Sequence, residues 1–173
     1  AFLPLLITQK MSVSGLQIGL IIACRTLVNA VLQVPAGKYA DRHNKLFLLV
    51  GGCVCLSGSI MAIPFVESFA KMLIMYTIVG LGEAIIWPVL GAYASQEGKA
   101  HYGHGTMMGV FSLAMSGGVF TGATLAGFSM DIWGIDWAFF TTAAAVFVIS
   151  MVGAALIYSS QFSQQNPGVV ERV

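Results

Sequence analysis

The chain has 173 residues, of which 57% are hydrophobic and 9% charged, with a formal net charge of +1 and a mean hydropathy of +0.85. A soluble domain carries roughly a quarter charged residues, so the composition argues against a water-soluble fold. A charge this close to zero, without Lys and Arg clustered on a solvated face, gives no support to nucleic-acid binding.

The first apolar stretch, residues 2–7, is too short to span a bilayer and reads as the tail of a severed helix. The chain opens on Ala1-Phe2-Leu3-Pro4 with no initiating Met and no basic region of the kind that starts a cleavable signal, so the start reads as truncated. Five longer apolar runs follow, at residues 15–36, 46–66, 71–94, 106–130 and 137–160, each near the roughly 20 residues that cross a membrane. In hydrocarbon only helices and closed barrels satisfy their own backbone groups, and these runs lack the alternation of barrel strands. The expectation is an all-α, multi-pass helical bundle over residues 1–160, with a flexible polar tail at 161–173.

The first full run contains Arg25 near its middle, and Asn29 and Gln33 follow at steps of four to make one polar stripe. Between the first and second runs, residues 37–45 carry four charges, Lys38, Asp41, Arg42 and Lys45, and read as a short basic loop. Cys24, Cys53 and Cys55 all fall within spans, where a thiol behaves as a small apolar side chain, so they are read as packing residues and no metal is expected. The third run holds Glu83 near its middle, on a face shared with Tyr76, Gly80 and Trp87, and Pro88 beyond it could kink the helix.

A Gly-rich loop, 98–105, carries His101 and His104, read as solvated. In the fourth run Ala114, Gly118, Gly122 and Ala126 recur every four residues, a spacing that lets membrane helices approach closely. Trp133, Trp137 and Tyr158 stand at span ends, where amphipathic rings anchor at the headgroups.

Orientation follows from the basic residues. Lys38, Arg42, Lys45, Lys99 and Arg172 fall in alternate connections, against Lys10 and Lys71 in the others, while Asp131 and Asp136 make the last opposite connection acidic. The positive-inside rule places the charged loop, the histidine loop and the C-terminus in the cytoplasm. Six helices with both ends inside would result, in a plasma membrane.

The pattern Gly37-x-x-x-Asp41-Arg42-x-x-Lys45, lying between two spans, resembles the loop between the second and third helices of a major facilitator superfamily half, Gly-x-x-x-Asp-Arg-x-Gly-Arg-Arg. Asn44 stands where that motif has its second Gly, and Asn tolerates the left-handed backbone a Gly would adopt there. Gly80-Leu81-Gly82 with Pro88 also resembles the family. The run from Gly118 to Gly127 is similar to its antiporter motif, Gly-x-x-x-Gly-Pro-x-x-Gly-Gly, with Ala123 for the Pro and Ala126 for one Gly.

The resemblance implies one six-helix half of a transporter, and the short tail after the last span favours the C-terminal half. It further implies that Asp41 and Arg42 latch helix ends in one of the alternating conformations, with Gly37 allowing close helix approach and Lys45 completing the motif. Gly118, Gly122 and Gly127 would serve helix packing.

Arg25 and Glu83 are the deep charges, and each needs a partner or a water-filled cavity, because a lone charge at the midplane costs at least ~2.5 kcal/mol. Each could be that partner for the other. As cavity walls, Arg25 could hold an anionic group and Glu83 a proton or a cation. Arg25, Asn29, Gln33, Glu83 and Trp87 are therefore the candidate substrate and coupling residues. One basic and one acidic group suit anions, zwitterions and cations alike.

The leading expectation is secondary active transport of a small solute by alternating access, coupled to a proton or cation. It would need the lipid bilayer and the other half of the transporter, with no cofactor. A non-transporting subunit or receptor on the same fold is the alternative. An intramembrane enzyme would need grouped nucleophile, base or metal ligands, and the spans hold no His and one acid.

Overall fold

The computed structural model describes residues 14–99 and 103–165. Among them are five helices of membrane-spanning length: α1 (Gly15–Arg42), α2 (Lys45–Ala62), α3 (Phe69–Glu97), α4 (His104–Trp133) and α5 (Ile135–Gln165). A 3-10 turn, Ile63–Phe65, extends α2. The remnant at 2–7, Lys10, His101 and Arg172 lie outside the described residues.

The helix ends are set by local chemistry. Ser14 caps α1 in a reciprocal box: its hydroxyl accepts from the Gln17 N–H at 3.4 Å, and its own N–H donates to Gln17 Oε1 at 2.9 Å. Between α4 and α5 the chain reverses at the single residue Gly134, whose φ of 92° suits only glycine at low cost. Its N–H still reaches the Met130 carbonyl at 2.9 Å.

Three expectations at helix ends are corrected. Residues 37–42 are not loop: α1 continues through Arg42, leaving His43 and Asn44 as the connection. At ~1.5 Å per residue its 28 residues reach about 42 Å, the full bilayer with headgroups, where charge is solvated and a helix need not stop. Asn44 is not left-handed either. At φ −64° and ψ 109° it caps α2, its Oδ1 accepting from the Leu46 N–H at 3.0 Å. At the other end α5 runs through Gln165, so residues 161–165 of the expected tail are helical.

α3 is the central element, packed on α1 along one side and on α2 along another, while α5 packs on both α2 and α4. Two apolar clusters hold this bundle. One joins Ile21, Ile63, Met72, Tyr76 and Phe139, and the other joins Ala40, Leu49, Cys53, Ile86 and Val89. Along α1 and α3 the segment between these clusters contains Arg25 and Glu83. Elsewhere large apolar side chains point outward, as at Leu113, Phe120 and Leu156, an arrangement that lipid tolerates and water would not. Span hydroxyls such as Thr77 and Ser59 donate back to the Leu73 and Cys55 carbonyls, each at 2.7 Å, so they leave no unpaired O–H toward lipid.

Candidate functional site

Glycine brings α1 and α3 together at the site. A Cβ on Gly80 would stand 2.5 Å from the Arg25 carbonyl oxygen, so only glycine allows this crossing. Three residues further along α3, Glu83 faces the Arg25 side chain. Arg25 Nε donates to Glu83 Oε2 at 3.0 Å and Nη2 donates to Oε1, a forked pair, and Asn29 Nδ2 adds a third donor to Oε2 at 3.2 Å. It is the one ion pair among the described residues whose partners come from different helices at mid-span.

The pair forms part of the wall of a cavity of about 330 Å³ between α1, α2, α3 and α5. Tyr76 and Thr142 complete its polar lining, and Leu56, Ile60 and Phe139 are among its apolar walls. The Thr142 hydroxyl is spent on the Ala138 carbonyl at 2.6 Å. The Tyr76 hydroxyl makes no hydrogen bond among the described residues.

The structure thus brings Arg25, Asn29 and Glu83 together and leaves Gln33 and Trp87 outside. Gln33 is exposed, Trp87 is half-buried, and neither lines the cavity. The reason is helical pitch. Each four-residue step overshoots a 3.6-residue turn by ~40°, so Gln33 has rotated ~80° away from Arg25. Seven residues fall only ~20° short of two turns, which is why Tyr76 lies nearer the Glu83 direction than Trp87 does. Tyr76 was visible on the α3 stripe; the α5 contribution, Phe139 and Thr142, gave no signal because its residues look like any span.

At the expected cytoplasmic end, Gly37 meets Pro88, with 3.5 Å from a built Cβ to the proline Cβ, and α3 continues unbroken through that proline. The Lys45 ammonium lies 5.9 Å from the Tyr93 ring centroid. Asp41 and Arg42 are exposed and make no ion pair among the described residues. Gly118 and Gly122 are exposed too, and a Cβ on either would meet nothing within 4 Å, so within these residues they form no close crossing. Gly127 is half-buried. The close crossings fall instead at Gly80 and at Gly52 with Gly82, where α2 meets α3. Among the described residues no cluster of three His, Cys, Asp or Glu side chains could hold a metal ion.

A bundle of five apolar, membrane-length helices, with an ion pair on the wall of a mid-span cavity, is the architecture of a multi-pass membrane protein. The chain belongs to the Major Facilitator Superfamily, whose family model matches residues 1–172. It is 31% identical over 133 residues to an uncharacterized MFS-type transporter of Methanocaldococcus jannaschii, covering 76% of this chain and 34% of that protein. It is 27% identical to the multidrug resistance protein MdtG of Klebsiella pneumoniae, covering 90% of this chain and 38% of that one. With the fosmidomycin resistance protein of Escherichia coli the identity is 26%, covering 93% and 39%. The chain therefore spans between a third and two-fifths of the length of these relatives. No solved structure gives a significant match.

Proposed function

We propose that the transporter containing this chain moves a small solute across the plasma membrane by alternating access, driven by a proton that Glu83 carries. The observation behind this reading is the forked Arg25–Glu83 pair on the wall of a mid-span cavity, since intramembrane charges mark ion and substrate paths more often than they serve packing. Two relatives bear the names of resistance proteins, which supports a small molecule as the solute. The basic residues at 38–45 and Lys99 support a cytoplasmic placement for those connections and for the C-terminus.

The test is solute flux in proteoliposomes of the complete transporter across a pH series. Glu83→Gln keeps the shape and removes the proton site, so flux should lose its pH dependence. An unchanged profile would remove Glu83 from coupling and return the pair to a packing role.

A further inference from the structure

We infer that the solute carries an oxyanion, which takes Arg25 from Glu83 as Glu83 takes a proton. This rests on the proposed transport reading and adds the substrate class and the order of exchange at the same site.

Unspent hydrogen-bonding capacity in the cavity is lopsided. Glu83 has about four lone-pair sites as a carboxylate, and three are filled by Arg25 Nε, Arg25 Nη2 and Asn29 Nδ2. Arg25 keeps both N–H groups on Nη1 and the second on Nη2, and none meets an acceptor among the described residues. The Arg25 side chain is 37% exposed where Glu83 is 18% exposed, so the cation is the more reachable partner. The Tyr76 hydroxyl, unpaired among the described residues, adds a donor, while the Thr142 hydroxyl, already spent as a donor, can only accept. A cavity rich in free donors and poor in free acceptors recognises an acceptor-rich, negatively charged group.

Charge balance sets the exchange. The resting pair is neutral, and an anion added to it would leave one uncompensated charge at mid-span. When a proton binds a Glu83 oxygen, the carboxyl no longer holds the guanidinium by charge. The guanidinium then turns its fork to the incoming oxyanion. Arg25⁺ with Glu83⁻ becomes Arg25⁺ with the solute anion beside a neutral carboxyl, so the site is neutral before and after, with one proton bound per anion. Among the described residues the groups able to titrate here are Arg25 from α1 with Tyr76 and Glu83 from α3; α2 and α5 bring none to the cavity.

The experiment uses the purified complete transporter and three probes of one shape, namely benzoate, benzylammonium and benzyl alcohol. Binding is measured by calorimetry at one pH in buffers of different ionisation enthalpy, which counts protons. Benzoate should bind at least ~10-fold tighter than the other two and take up about one proton. Glu83→Gln should bind benzoate as well as or better than the parent, with no proton uptake, and Arg25→Gln should lose at least ~10-fold in affinity. A melting curve for each variant separates lost binding from lost fold, and Glu83→Gln alone suffices if Arg25→Gln does not fold. Preference for benzylammonium with proton release, equal binding of all three, absence of benzoate binding, or benzoate binding without a proton would overturn the inference. Proton-driven flux with a benzylammonium preference would do so while leaving the transport reading intact.

Discussion

Arg25 and Glu83 meet as a forked pair at the centres of α1 and α3, and neither can be removed alone without stranding the other. Breaking a buried pair costs ~3–5 kcal/mol; with Arg25 37% exposed the lower figure applies, about 3 kcal/mol for Arg25→Met. Removing both, as Arg25→Met with Glu83→Met, should recover most of that loss, because well-packed apolar side chains replace such pairs at little cost. Denaturant unfolding of the purified transporter checks both numbers, and flux checks the consequence: the double variant should be stable and unable to couple a proton. Retained pH-dependent flux in it would assign the pair to packing. The pair was readable in the sequence because two opposite charges at mid-span must find partners. Its neighbours were less readable, because a four-residue stripe looks aligned on paper while the helix turns ~40° at each step and carries Gln33 and Trp87 out of the site.

Helices tell a similar story of what chemistry the residues announce. Apolar runs announced all five spans, since lipid leaves no other use for them. Their ends were hidden, because charges at 37–42 signal water and not the loss of helix, and α1 simply continues into the headgroups. Small residues announced close packing without saying where. The α4 ladder meets no close neighbour at Gly118 or Gly122, whereas Gly80 is pressed against the Arg25 backbone. Gly80→Ala should therefore force α1 and α3 apart and cost ~1–3 kcal/mol, only partly offset by the ~1 kcal/mol helix preference of alanine. Gly51→Ala, on an exposed face with nothing within 4 Å, should be neutral or slightly stabilising. Thermal melts of the two variants should differ in sign relative to the parent. Equal shifts would mean that the α1–α3 crossing yields freely.

Over the whole molecule, the proposed transport site and the proposed latch lie apart. Asp41 and Arg42 sit sixteen and seventeen residues beyond Arg25 on one continuous helix, about 24 Å away at ~1.5 Å per residue. Asp41 has no charged partner among the described residues, and the relatives are two to three times as long as the segment matched; we propose that the complement of this exposed charge lies on the rest of the transporter, forming a latch. A latch there changes the balance between inward- and outward-facing states and leaves the solute's own contacts alone. Asp41→Asn removes the charge and keeps the volume. If the latch contributes ~1.4 kcal/mol to one state, flux should fall by about tenfold as that state loses population. Solute affinity, which the proposed site assigns to Arg25 at mid-span, should change by less than about threefold. Flux and equilibrium binding measured on the same preparation separate the two, and a parallel loss of both would move Asp41 from the latch into the binding site or the folding core.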